Sequence, residues 1–324
     1  ARHRLCLSGT PMENHLGEIW SLFHFLMPGF LGSQTRFKEV FRTPIEKQGD
    51  GARMAQLRSR ITPFMLRRTK ALVAGELPPK VESVMPVELT GTQADLYETI
   101  RLGMEKTVRE ALQTKGLAKS QITILDALLK LRQVCCHPQL VPLDAAKKVK
   151  TSAKLDQLMA LLPEMLAEGR RILLFSQFTS MLTLIEAELK KRNLPWVKLT
   201  GQSQKRDAII EQFTSGQVPL FLVSLKAGGV GLNLPQADTV IHYDPWWNPA
   251  VENQATDRAH RIGQTQSVWV IKLVAQGTIE ERILALQERK AQLAGSLYRD
   301  SAARKEPLFT EGDLAELLLP LSQS

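Results

Sequence analysis

Apolar residues recur at helical spacing from Leu16 to about Met27, through Leu16, Ile19, Trp20, Leu22, Phe23, Phe25 and Leu26, and Pro28-Gly29 stops that helix. Ahead of it, Arg4-Leu-Cys-Leu7 reads as a short buried strand ending at Ser8-Gly9. As far as Lys70, helical pieces alternate with Pro44 and the turn Gly49-Asp-Gly51. Leu77-Pro-Pro-Lys80 is held extended by its consecutive prolines and reads as a linker. Helical periodicity returns from Thr92 to His137, with a break predicted at Gly116 and a stop at Pro138 and Pro142.

The pattern then changes. Leu155, Leu158, Met159, Leu162, Met165 and Leu166 give one more amphipathic helix. Beyond it, short apolar runs at Ile172–Phe175, Trp196–Leu199, Pro219–Val223, Thr239–His242 and Val268–Val274 predict strands. Helices centred on Leu184, Ile209, Gln254 and Ile283 fall between or after them. Near-continuous apolar strands separated by helices predict an α/β fold, a parallel sheet with helices on both faces, preceded by an α-helical insertion. In such sheets ligands bind beyond the carboxyl ends of the strands. Gln177, Thr200-Gly201, Ser224-Leu-Lys226 and Asp244 all fall there.

Composition narrows the class only a little. The 324 residues suffice for two domains, 44% are hydrophobic, and 42 Lys+Arg against 33 Asp+Glu give a net charge of +9, which favours a polyanionic partner such as nucleic acid. No apolar run of about 18 residues and no N-terminal signal pattern is found, so an intracellular protein with no membrane partner is expected. Cys135 and Cys136 precede His137, but no second Cys/His pair lies at ligand spacing; they read as core thiols at a helix end, and no protein-ligated metal is expected.

The chemistry concentrates in Gln254-Ala-Thr-Asp-Arg-Ala-His-Arg-Ile-Gly-Gln264, where Arg258 and Arg261 stand three apart, on one face of any helix they share. Two fork-shaped guanidinium groups aimed together suit the charge on a transferred phosphoryl group; alone, the segment could equally be a surface helix with solvated arginines. Asp257 would orient an arginine by a charge-assisted hydrogen bond, and His260 is read as structural. Ser224, Lys226 and the backbone of Ala227-Gly-Gly229 offer hydroxyl, amine and N–H donors to a phosphodiester, although glycines there also make a tight turn. Gly229-Val-Gly231 is not a dinucleotide fingerprint, since Leu234 takes the third glycine position. Ser203 is expected to cap the next helix and Arg206 to sit on its first turn, where a cation is poorly placed for the dipole and so favours a ligand role. Trp246 and Trp247 are expected to pack as a lid on the sheet.

The order of segments resembles the second half of a helicase-like motor of the Swi/Snf family, the ATP-driven DNA translocases. Leu7-Ser-Gly-Thr-Pro11 resembles motif III, Leu173-Leu-Phe-Ser-Gln-Phe178 motif IV, Ser224-Leu-Lys-Ala-Gly-Gly-Val-Gly-Leu-Asn233 motif V and Asp257-Arg-Ala-His-Arg-Ile-Gly-Gln264 motif VI. Asp244-Pro-Trp-Trp-Asn-Pro249, Pro63–Thr69, Leu77–Lys80 and Leu131-Arg-Gln-Val-Cys-Cys-His-Pro138 fill the intervals, so the resemblance covers nearly the whole chain. It implies a RecA-like second lobe, with Arg258 and Arg261 as arginine fingers. It further implies that Gly229, Gly231, Gln254, Asp257 and Gln264 line the ATP cleft. Gln177, Thr200, Gly201, Arg206, Ser224, Lys226 and Ala227 would contact DNA, and Ser8, Gly9 and Thr10 would couple the two events.

No G-x-x-x-x-G-K-[ST] loop and no magnesium-binding acidic motif is present, which a motor of this kind needs. The expected chain is therefore a carboxyl-terminal half: residues 1–15 the end of the first lobe, 16–145 helical protrusions and the crossing, 146–296 the RecA-like second lobe, and 297–324 a brace helix with Thr310 as its N-cap. ATP with Mg2+ would be held mainly by the upstream lobe, so this chain alone is expected to be inactive. Its expected partners are double-stranded DNA, gripped without sequence preference, its own upstream lobe, and a nucleoprotein or polymerase target. The expected setting is cytoplasm or nucleoid in a prokaryote, the nucleus in a eukaryote. A strand-separating RNA or DNA helicase, a non-catalytic nucleic-acid-binding module and an RNA-polymerase-recycling translocase are the alternatives.

Overall fold

The computed structural model describes residues 3–7, 16–48, 50–65, 77–225, 232–246, 249–261, 263–297 and 311–321. Two compact units divide the chain: residues 1–73 with 289–310, and residues 74–288 with 311–324.

In the first unit, helices α1 (Gly17–Leu26), α2 (Gln34–Phe37), α3 (Thr43–Gln48) and α4 (Gly51–Ile61) enclose a core of Leu16, Ile19, Phe23, Leu31, Phe37, Phe41, Ile45, Leu57 and Ile61. Ser33 and Asp50 cap α2 and α4 by accepting the N–H groups of Arg36 (3.3 Å) and Arg53 (3.0 Å). The predicted strand at Arg4–Leu7 is absent. Those residues form no ladder and Leu5 and Leu7 are 79% and 87% exposed, because an apolar run becomes a strand only beside another strand that takes its backbone bonds.

The second unit is built on a six-stranded, all-parallel sheet of β1 (Lys80–Val87), β2 (Ile172–Ser176), β3 (Val197–Leu199), β4 (Leu220–Ser224), β5 (Thr239–His242) and β6 (Val268–Ala275), in the order β1-β6-β5-β2-β4-β3. Strand residues alternate between two cores, as the two-residue pleat requires. Leu174, Leu222, Ile241 and Leu273 face one layer, with α7 (Ala153–Ala167) and α8 (Thr179–Lys191). Leu173, Phe175, Phe221, Val240 and Val270 face the other, with α9 (Arg206–Thr214) and α10 (Pro249–Thr256). The fold is the expected RecA-like one.

Strand β1 was not legible in the sequence. It alternates weakly, carries Pro86 and is largely exposed, which suits an edge strand paired to β6 on one side only. The long helix α5 (Gly91–Cys136) is a hairpin broken at Gly116, whose φ of 71° and ψ of 169° are open essentially to glycine alone. Gln93 Nε2 donates to the Val134 carbonyl at 2.9 Å and Ser120 Oγ to that of Ala111 at 2.8 Å, so the arms run antiparallel. Its carboxyl end carries the buried Cys135 and Cys136 into the same unit as the sheet. Helix α11 (Ile279–Leu297) follows β6, and α12 (Glu311–Leu317) buries Leu314 and Leu317 while the chain beyond it is held by Arg101, whose Nη1 donates to the Leu318 carbonyl at 3.0 Å.

Candidate phosphate and nucleic-acid site

The carboxyl ends of β2, β4 and β5 are tied side by side. Ser176 and Ser224 are register partners, and Phe175 pairs with His242. The Asp244 carboxylate, fully buried, accepts the Ser176 hydroxyl at 2.5 Å and the Gln177 N–H at 3.3 Å, closing the gap between the β2 and β5 ends. Burial pushes its pKa up, against the Lys154 charge and the Ser176 hydrogen bond. Gln177 leaves its Nε2 buried without a hydrogen-bond partner.

After β3, Thr200 and Gly201 begin a tight turn: the Ser203 hydroxyl accepts the Thr200 N–H at 2.9 Å, and the Ser203 N–H returns to the Thr200 carbonyl at 3.1 Å. Ser203 is therefore not the expected helix cap. Lys205 holds that position in a left-handed conformation, φ 51°, without a side-chain cap. Arg206 opens α9 as expected. Thus Gln177, Thr200, Gly201 and Ser224 gather along one sheet edge, with Arg206 at the end of the turn that leaves it. Lys226, Ala227, Gly229 and Gly231, like Ser8, Gly9, Thr10, Trp247 and Thr310, lie outside the described residues.

Arg258 and Arg261 do not share a helix face. Helix α10 ends at Thr256, and residues 257–261 turn, with the Ala259 and His260 N–H groups both donating to the Thr256 carbonyl. Arg258 is 7% exposed and donates from Nη1 to the Leu232 carbonyl at 3.2 Å, while its Nε is buried without a partner; Arg261 is exposed. Burial, then the charge of Arg261, lower the Arg258 pKa, with Asp257 acting the other way. Two cations close enough to disfavour one another suit an anion between them.

The turn is stitched to the run that enters β5. Leu234 N–H donates to the Arg258 carbonyl at 2.9 Å. Gln264 Nε2 donates to the carbonyls of Ala237 (2.7 Å) and Ala259 (3.1 Å), and its Oε1 accepts the N–H groups of Thr265 and Gln266, both at 2.9 Å. Gly263 makes the reversal at φ 100°, where a side chain would be strained. His260 Nε2 lies 2.8 Å from the Pro78 carbonyl, a structural tie. Gln254 is half-buried on α10.

Two groups escaped the sequence reading. The Lys154 ammonium and Glu280 carboxylate form a fully buried pair, at 2.8 and 2.7 Å, with the ammonium against the Tyr243 ring. Arg132, 3% exposed, reaches from α5 to the loop after β5. A lone arginine on the buried stripe of Ile124, Leu128, Leu131 and Cys135 was the available signal for it. Among the described residues no group of three or more His, Cys, Asp and Glu is placed to hold a metal ion, and no helix is long and apolar enough to cross a membrane.

Residues 1–140 match the family model of the SNF2-related domain and residues 153–263 that of the helicase conserved C-terminal domain. The chain is 41% identical over 322 residues to the putative ATP-dependent helicase/translocase YwqA of Bacillus subtilis, covering 97% of this chain and 34% of that protein. To the chromatin structure-remodeling complex subunit snf21 of Schizosaccharomyces pombe it is 35% identical, over 92% of this chain and 27% of that protein. It therefore spans about a third of the length of such relatives. The Sulfolobus solfataricus SWI2/SNF2 ATPase C-terminal domain superposes with a TM-score of 0.58 at 31% identity, over 75% of this chain and all of that one. The ATPase core from the same organism in complex with dsDNA gives 0.58 at 38% identity, covering 90% of this chain and 61% of that one.

Proposed function

The chain belongs to the Swi/Snf family of helicase-like ATPases, and from that membership we propose that it is the carboxyl-terminal half of an ATP-driven motor that moves along double-stranded DNA without separating the strands. The observation that carries the reading is the pair of neighbouring guanidinium groups at the turn after α10, one buried with a free Nε and one exposed, whose mutual repulsion an anion would relieve.

Arg258 and Arg261 act as arginine fingers on the γ-phosphate when a partner lobe closes against this one, with Asp257 orienting them and Gln254, Gly229, Gly231 and Gln264 shaping the same side of the cleft. ATP with Mg2+ is held mainly by that partner lobe, whose phosphate loop and magnesium acid have no counterpart in this sequence. This chain contributes charge to neutralise the transferring group.

Gln177, Thr200, Gly201, Arg206, Ser224, Lys226 and Ala227 grip the DNA backbone, and Ser8, Gly9 and Thr10 link that grip to the nucleotide. The complex of the Sulfolobus core with dsDNA supports duplex DNA as the partner. Backbone contacts carry no base information, so the grip is independent of sequence. The protein works inside the cell on DNA or DNA-bound protein.

Phosphate release stimulated by duplex DNA, measured on the protein with both motor lobes and on this chain alone, tests the reading. Turnover is expected only with both lobes present, together with displacement of a triplex-forming strand and none of a duplex strand. DNA-stimulated hydrolysis by this chain alone, or duplex unwinding, would overturn it.

A further inference from the structure

The Arg132 guanidinium, buried on the last turns of the helical hairpin, touches both loops that leave the middle of the sheet. Its Nη2 donates to the Pro245 carbonyl at 2.8 Å. It lies over the Trp246 ring at 5.4 Å and the Phe178 ring at 6.0 Å, so one planar cation packs against the loop after β5 and the loop after β2 together. Phe178 follows Gln177, and Asp244 already bonds Ser176 and Gln177, so a shift of the β2 loop is felt at the β5 loop.

From the β5 loop the path continues to the arginine-bearing turn. Trp246 N–H donates to Glu252 Oε1 at 2.7 Å, which fixes the first turn of α10, and the Gln287 carboxamide donates to the Trp246 carbonyl. At the far end of α10, Thr256 Oγ1 lies 3.0 Å from His242 Nε2 and its carbonyl accepts the N–H groups of Ala259 and His260, on either side of which stand Arg258 and Arg261. Every contact in this path involves buried or half-buried groups, where packed elements shift as units and do not deform continuously.

We propose that Arg132 is a positioning residue that couples the β2 loop, on the DNA side, to the turn carrying Arg258 and Arg261, so that DNA engagement sets the arginines for hydrolysis. The proposal rests on the translocase reading above and adds a residue that touches neither DNA nor nucleotide. The helical hairpin is then part of the coupling machinery as well as a protrusion.

The test uses the protein with both motor lobes. Arg132→Met fills the buried space with an apolar side chain and removes both the charge and the donor to the Pro245 carbonyl; Arg132→Lys keeps a donor for the Pro245 carbonyl but loses the planar face that meets both rings. In Arg132→Met the ratio of DNA-stimulated to basal ATP turnover is expected to fall by roughly 5- to 150-fold, the usual size of a coupling between two sites, while the Kd for duplex DNA stays within about twofold. Arg132→Lys is expected to recover part of the ratio. On this chain alone, hydrogen exchange in Arg132→Met should quicken in residues 177–182 and 244–256 together. An unchanged ratio in a folded Arg132→Met protein, or exchange that quickens in only one of the two segments, would overturn the proposal. Arg261→Ala measured in parallel separates the two readings: if it leaves turnover intact while Arg132→Met lowers the ratio, the finger assignment of Arg261 fails and the coupling stands with Arg258 as its end point.

Discussion

The ammonium of Lys154 sits 2.7 Å from the carboxylate of Glu280, and neither side chain is exposed. The pair joins the start of α7 to the start of α11, and Glu280 Oε2 also accepts the Ala275 N–H at 2.8 Å, at the end of β6. Burial alone would pull the Lys154 pKa down; the Glu280 carboxylate turns the shift upward. Removing one partner leaves an uncompensated buried charge, so Lys154→Met or Glu280→Leu is expected to cost about 3–5 kcal/mol of stability. The double replacement Lys154→Met with Glu280→Leu should recover most of it. Urea unfolding of the three variants checks this, and an additive double variant would show that the pair is not coupled.

Arg258 and Arg261 should separate in a stability assay although both abolish turnover. Arginine fingers are worth roughly 10³- to 10⁵-fold in rate, so either change to Ala in the two-lobed protein should remove DNA-stimulated hydrolysis and leave DNA affinity nearly unchanged. Arg258→Ala also leaves the Leu232 carbonyl without its donor, at a cost of about 1–3 kcal/mol, while the exposed Arg261 should cost little. Near-normal turnover in both variants would leave neither arginine with a catalytic role.

Acid should destabilise the second unit through two histidines. Burial lowers His242 from the usual value of 6.5 to about 3 and His137 to about 4. Below about pH 6.5 the unfolded chain binds protons that the folded chain refuses, so their contribution is complete above that pH and is lost on acidification toward pH 4. Each adds a slope of roughly 1.4 kcal/mol per pH unit while its folded form stays neutral. His242→Gln is expected to flatten the fall in stability between pH 6.5 and 4; an unchanged slope in chemical denaturation at several pH values would count against a buried neutral His242.

The DNA edge carries its own signature in salt. If Arg206 and Lys226 neutralise phosphates, replacing each by Ala should weaken binding to all duplex sequences alike and reduce the slope of log affinity against log salt by roughly one unit. A residue that reads bases would instead lose about 1–3 kcal/mol on a preferred sequence only. Titrations at several salt concentrations with both variants decide this, and an unchanged slope for Arg206→Ala would take it off the DNA face.

Several features were fixed by local chemistry and were open to reading before any coordinates. Five of the six strands follow from runs such as Ile172–Phe175 and Pro219–Val223, in which every side chain must be covered, and Gly116 broke the long helix because no other residue adopts its backbone angles. The parallel arrangement placed Gln177, Thr200 and Ser224 along one edge. Only the tertiary structure decided the rest. Whether Arg4–Leu7 forms a strand and Lys80–Val87 does depends on a neighbour to take the backbone bonds, which lies far away in the chain. Helical spacing put Arg258 and Arg261 on one face, yet α10 ends at Thr256 and packing against Leu232, Leu234 and Ala237 folds the arginines into a turn. Lys154 with Glu280, and Arg132 with Phe178 and Trp246, are meetings of residues 126, 46 and 114 positions apart, and no periodicity can report a partner at that distance.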